Sequence, residues 1–282
     1  MSSLKSLCYR RIFALVLSTA CSLCIAVSAR AELVTVAVAS NFMVPMKAIA
    51  ESFEEATGHQ VRLSFGSSGK LYAQILNGAP FDLFLSADQT KPEALEKAEL
   101  VSSNGRQTYA IGKLVLAKSP SALKHPDSVT PEVLLKGGTF NRLAIANSRV
   151  APYGQAAKEV LETIGVSEIV SSRIVQGENI SQTFQFVATG NADLGFIALS
   201  QVLSPNASDF SINSAQVWSV PDHMYSPIYQ DMVLLRKAQE NPAAIALFDW
   251  LKSDETKLLI QSFGYSSAIS SAAIAPGTEQ EK

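Results

Sequence analysis

Cysteine is nearly missing from this 282-residue chain, and the three present, Cys8, Cys21 and Cys24, all fall near the N-terminus. They sit inside "MSSLKSLCYRRIFALVLSTACSLCIAVSARA", which starts basic (Lys5, Arg10, Arg11), turns apolar and ends Ala29-Arg30-Ala31. That order is a secretory signal, with cleavage expected after Ala31. A membrane anchor is the rival, but Ile12 to Val27 falls short of the ~20 residues a spanning helix needs. Ser18-Thr19-Ala20-Cys21 resembles a lipoprotein signal only faintly, lacking Leu three before the Cys, so lipid anchoring at Cys21 is the weaker alternative. From Glu32 onward there is no thiol, which excludes disulfide staples, a cysteine nucleophile and thiolate metal sites, and suits a bacterial periplasm or the cell exterior. Positive charge is also short. Of 23 Lys and Arg, four (Lys5, Arg10, Arg11, Arg30) leave with the signal, so 19 face 25 acidic residues and the net charge is −6. Such a chain is poorly suited to nucleic acid or to an anionic membrane. Histidine is scarce too: His59, His125 and His223 stand in unrelated polar stretches, with neither metal-ligand spacing nor an evident serine base.

What the chain does have is a regular alternation of β and α patterns. "LVTVAVA", "QVRLSFG" and "FDLFLSA" read as buried strands, each followed by a helical pattern: "MVPMKAIAESFEEATG", "KLYAQILNGA" and "KPEALEKAEL". "YAIGKLVLAKS" reads as one long strand with a mid-strand glycine, crossing into a second lobe with the same alternation. "YSPIYQDMVLL" reads as the strand that returns. Two C-terminal helices follow from Asn241-Pro242, and the small, polar tail from Ser270 reads as frayed. The expected class is α/β: two Rossmann-like lobes joined by two crossover strands, with helices on both faces of mostly parallel sheets. Residues 32–112 with 230–282 would form lobe I and 113–229 lobe II, hinged around a cleft.

Four strand-to-helix turns stand at the carboxyl ends of strands, where α/β proteins bind ligands. They are "VASNF", "FGSSGK", "RVAPYGQ" and "QGENISQ". First-turn N–H groups are unpaired and carry the positive end of the helix dipole, so they favour an anion. "FGSSGK" is neither a nucleotide loop, since Lys70 precedes Leu71 and only two residues separate Gly66 from Gly69, nor a nucleophile elbow, since Lys70 stands where the last glycine belongs. An ordinary N-cap remains the plainer reading of any one turn. Lys70 reads as a solvated charge, and Asp82 and Asp88 as turn organisers, because a carboxylate would repel an anion.

"VTVAVASNFMVPMKAIA", "VRLSFGSSGKLYAQILNGAPFDLFLSAD" and "NADLGFIALS" resemble the periplasmic molybdate-binding proteins of ABC importers, and the likeness runs on to "IQSFGY". The resemblance implies a type II periplasmic binding protein fold with a tetrahedral oxyanion held in the cleft by neutral donors. Position by position, it implies ligand contacts at Asn41 with Ser40 beside it, at Ser68 through hydroxyl and N–H, at the Tyr153 N–H, and at the Ile180 N–H. Some members carry a tyrosine hydroxyl where this chain has Ala198, and Tyr153 is the candidate to replace that donor.

The expected function is capture of molybdate, with tungstate as a second ligand, and delivery to a membrane permease. The protein would be a monomer, not an enzyme, with no cofactor, no direct metal ligand and no nucleic-acid partner. Three rivals stand beside it: a binder of another oxyanion such as sulfate or phosphate, a secreted hydrolase using Ser67 or Ser68, and a sensory or adhesion module built on the same clamp.

Overall fold

The protein is described by a computed structural model covering residues 31–120, 128–204, 212 and 216–267. The signal, the three cysteines with the anchoring alternative at Cys21, His125 and the tail 270–282 lie outside the described residues.

The first sheet is seeded by β1 (Leu33–Ala39), a β-branched run whose alternate side chains enter different cores. Val34, Val36 and Val38 pack with Phe42, Met46, Ile49 and Phe53 on one face. Ala37 packs with Leu71, Ile75 and Phe84 on the other. This is the period of two that a sheet covered on both faces requires. A single 3₁₀ turn, Ser40–Phe42, leads into α1 (Met43–Thr57), which buries Met46, Ile49, Ala50 and Phe53. Gly58 ends α1 at φ 72°, a left-handed position that glycine takes without a Cβ clash. The chain continues through β2 (Gln60–Gly66), α2 (Ser68–Leu76), β3 (Leu83–Leu85) and α3 (Thr90–Lys97).

The stretch that reads as one long strand is two. β4 (Val101–Gly112) belongs to the first sheet and β5 (Leu114–Lys118) to the second, with the break at Lys113. The second sheet is completed by β6 (Leu143–Ala146), β7 (Ile174–Gly177), β8 (Leu194–Ala198) and β9 (Val217–Ser219). Between these strands lie α4 (Pro131–Lys136), α5 (Pro152–Thr163), α6 (Ser167–Ser171), α7 (Ile180–Ala188) and α8 (Leu199–Val202). The chain returns to the first sheet as β10 (Ile228–Leu235) and ends in α9 (Pro242–Trp250) and α10 (Asp254–Ser262).

Strand order is β2-β1-β3-β10-β4 in the first sheet and β7-β6-β8-β5-β9 in the second. Each sheet therefore has a parallel trio with an antiparallel strand inserted beside its third member. That strand is β10 in the first sheet and β5 in the second, each entered directly from the other lobe. The sheets are thus more mixed than the sequence pattern suggests. Because the trios are parallel, the helices that follow β1, β2, β6 and β7 all begin at the carboxyl edge of their own sheet, and those edges meet between the lobes.

Candidate functional site

Twelve residues enclose one small cavity between the lobes: Ala39, Ser40, Asn41, Gly66, Ser67, Ser68 and Ala87 from the first, and Ala151, Pro152, Tyr153, Asn179 and Ile180 from the second. All five positions singled out from the sequence, Ser40, Asn41, Ser68, Tyr153 and Ile180, are among them; Ala198 is not. No lining residue carries a formal charge. The cavity volume is ≈ 10 Å³, about the least that holds one water molecule, and hydrogen bonds join the lobes beside it. A larger groove of ≈ 360 Å³ shares Ala87, Ala151 and Pro152 with it and flanks it, lined by charges of both signs (Asp88, Lys91, Arg149, Glu159).

The helix starts at this cavity are unusually bare. The residue before the Ser40–Phe42 turn is Ala39, and the residue before α5 is Ala151; neither has a side chain that can cap. Ser67 precedes α2 in an extended conformation yet makes no capping bond. Only at α7 does a cap form, where Asn179 Oδ1 accepts from the Gln182 N–H at 3.0 Å. That bond serves the third helical residue and leaves the Ile180 N–H, the first, uncommitted. Buried helix ends without caps are costly unless some other acceptor meets them. Converging N–H groups with no carboxylate nearby are the chemistry of an anion site.

Individual side chains differ from their expected roles. Asn41 does not offer its amide to the cavity: Nδ2 donates to Gln230 Oε1 at 2.9 Å and to the Tyr265 hydroxyl at 3.0 Å. Its carbonyl accepts from Ser200 Oγ at 3.0 Å and from Tyr265 at 2.9 Å. What Asn41 leaves free is its backbone N–H. Gln230, fully buried, also accepts from the Tyr109 hydroxyl at 2.9 Å and donates to the Tyr153 hydroxyl at 3.3 Å. The Tyr153 hydroxyl is thereby turned to the hinge, against Gly112, where a Cβ would stand 2.2 Å from it. This argues against its replacing a donor missing at Ala198; its N–H, at the second position of α5, remains. Burial pushes the Tyr109 and Tyr153 hydroxyls well above the ordinary tyrosine range and raises Tyr265 as well, so all three stay protonated. Sequence reasoning missed Gln230 and Tyr265. The one signal was the polar pair Gln230-Asp231 amid the apolar run of the returning strand.

Ser68 is 1% exposed, and its Oγ accepts from the Ala87 N–H at 2.9 Å, which leaves the hydroxyl proton to donate. Lys70 is not simply solvated: it pairs with Glu178 of the opposite lobe. Asp88 accepts from the Lys91 N–H at 3.0 Å and organises its turn, whereas Asp82 accepts from the Thr35 N–H and hydroxyl, both at 2.7 Å, and so ties the approach to β3 to the distant strand β1. Neither described histidine approaches the two serines. His59 accepts from the Glu32 N–H and stacks on Phe53 at the far end of β2, and His223 sits in a 3₁₀ turn, Asp222–Met224.

The two lobes are held together around the cavity by direct hydrogen bonds. The Gly69 N–H donates to the Val150 carbonyl at 2.9 Å. Ser181 Oγ donates to the Ser40 carbonyl at 3.1 Å.

Comparison with known proteins adds a sequence-wide likeness. The family described as "Bacterial extracellular solute-binding protein" matches residues 34–266. The molybdate-binding protein ModA of Azotobacter vinelandii is 48% identical over 242 residues, covering 86% of this chain and 92% of that protein. ModA of Rhodobacter capsulatus is 41% identical over 241 residues, covering 86% and 91%. Among solved structures, the periplasmic molybdate-binding protein of Azotobacter vinelandii superposes with a TM-score of 0.73 at 34% identity, covering 83% of this chain and 98% of that one.

Proposed function

The chain belongs to the bacterial extracellular solute-binding proteins, and on that premise we propose that it captures molybdate, and tungstate with it, for an ABC importer. The observation that carries this reading is the uncharged cavity at which four bare or partly bare helix starts from both lobes converge. The donor set proposed is the backbone N–H of Asn41, with Ser40 beside it, the hydroxyl and N–H of Ser68, and the N–H groups of Tyr153 and Ile180. Each bond to an ionised oxygen contributes roughly 1.5–3 kcal/mol. Several together reach the ~8 kcal/mol of a micromolar complex.

Capture works by closure. With the lobes apart, each presents half of the donors. An oxyanion that bridges both halves stabilises the shut form by contacts the open form lacks. Neutral donors suffice because they need no counter-charge, and a fully deprotonated oxyanion satisfies every one of them. A protonated phosphate sets a proton against a donor, and sulfate is smaller than molybdate. The loaded clamp then docks on the membrane permease. The proposed compartment is the periplasm, reached through the leader Met1–Ala31, and the proposed state is a monomer without a cofactor. A catalytic role for Ser67 or Ser68 is not proposed, since the Ser67 hydroxyl has no hydrogen-bonded base.

A thermal-shift series with molybdate, tungstate, sulfate, phosphate and chromate tests the reading, because a ligand bound only by the native state raises its melting temperature. Molybdate and tungstate should shift the transition upward, and Ser68→Ala should weaken molybdate binding more than tenfold, about 1.4 kcal/mol. No shift with either anion, or sulfate displacing molybdate at equal concentration, would overturn the assignment.

A further inference from the structure

Ser67 is 3% exposed, and among the described residues its Oγ is the one buried side-chain polar atom without a hydrogen-bond partner. A buried hydroxyl is rarely left so, because it gives up water and gains nothing. Its backbone makes the omission more pointed. Ser67 precedes α2 at φ −74° and ψ 146°, the extended conformation from which a serine ordinarily accepts the N–H of the second or third helical residue. Here the second, Gly69, donates instead to Val150 of the other lobe. Ser67, released from capping, is among the residues that line the interlobe cavity, beside Ser68, whose own oxygen is held by Ala87.

We propose that Ser67 is a ligand-contact residue in its own right, donating its hydroxyl proton to an oxygen of the bound oxyanion next to that of Ser68. The proposal rests on the oxyanion reading above and adds a donor to it. The adjacent serines serve two purposes: Ser68 is oriented by a bond to the Ala87 N–H, whereas no hydrogen bond fixes the Ser67 hydroxyl before the ligand supplies its acceptor. A hydroxyl held by no internal bond can turn to meet anions of slightly different size, so Ser67 should matter to the ranking of tungstate, molybdate and sulfate as well as to affinity.

The test is titration calorimetry of the wild type and of Ser67→Ala with molybdate, tungstate and sulfate, beside thermal unfolding of each protein without ligand. The expected result is a more than tenfold loss of affinity for whichever oxyanion the wild type binds, with an unliganded melting temperature unchanged or raised. Unchanged affinity would overturn the proposal, as would an unliganded melting temperature lowered without loss of affinity, the signature of a plain helix cap. Ser67→Gly, which also lacks the hydroxyl, should repeat the loss. A wild type that binds sulfate alone would sink the molybdate assignment, while the same tenfold criterion, read with sulfate, still decides the role of Ser67.

Discussion

Gln230 ties the two halves of the site together from the hinge. One side-chain amide holds Asn41 and Tyr109 of the first lobe and Tyr153 of the second. Around it the Tyr109, Tyr153 and Tyr265 hydroxyls are buried, and desolvation raises each above the ordinary tyrosine value. The sign follows from linkage. Below pH ~10 these groups are protonated in both folded and unfolded chains and leave stability unaffected by pH. As pH rises past the unfolded value, the unfolded chain releases protons that the folded one retains, and stability falls. Urea unfolding from pH 8 to 11.5 should therefore be flat in its tyrosine-dependent part up to about pH 10 and decline above it. Tyr265→Phe should make the decline shallower by about one proton's slope. An unchanged slope would mean that the hydroxyl titrates freely in the fold. This network also marks where sequence reading stopped. The four strand-to-helix turns were legible in the local pattern, and the five positions within them came from the family resemblance. The engagement of Asn41 was not legible, since its partners lie 189 and 224 positions away.

Helices and strands differ in how plainly the sequence announces them. Long elements with strong patterns were legible, down to caps such as Asn241, whose Oδ1 accepts from the Ala243 N–H. The first half of β4 was not: "VSSNGRQT" is polar and contains Asn104 at φ 56°. It forms a strand because β10 pairs with it at the sheet edge, where one side of the strand stays in water and no apolar alternation is required. The short elements α6, α8 and β9 are likewise set by neighbours rather than by periodicity. At α7 the cap and the proposed ligand donor are separable within one element. Asn179→Ala removes the bond to Gln182 and should lower unfolding free energy by about 1 kcal/mol. The Ile180 N–H is untouched, so molybdate affinity should change by less than about threefold, under half of the 1.4 kcal/mol that a tenfold change represents. A larger loss in calorimetry would place Asn179 itself among the ligand contacts.

The whole molecule is a clamp whose lobes meet along the carboxyl edges of two sheets, and at Gly69 their backbones touch. Its N–H bonds to the Val150 carbonyl at 2.9 Å, and a Cβ there would lie 2.9 Å from both Cα and Cβ of Val150. Because Cα is backbone, no rotamer change at Val150 relieves the contact; the lobes themselves must part. Gly69→Ala thus sets two effects against each other. Within lobe I, alanine improves on glycine in a helix by up to ~1 kcal/mol, so the free protein should melt at the same temperature or higher. In the shut clamp the added methyl pushes Val150 away and breaks the bond between lobes. Molybdate affinity should fall more than tenfold, although every proposed donor is still present. Small-angle scattering separates this from damage to the site. Molybdate should reduce the radius of gyration of the wild type and leave that of Gly69→Ala at its ligand-free value. If the variant contracts and binds as the wild type does, then closure does not require the contact of Gly69 with Val150, and the other contacts between the lobes, Ser181 with Ser40, Ser200 with Asn41 and Lys70 with Glu178, suffice to hold the clamp shut.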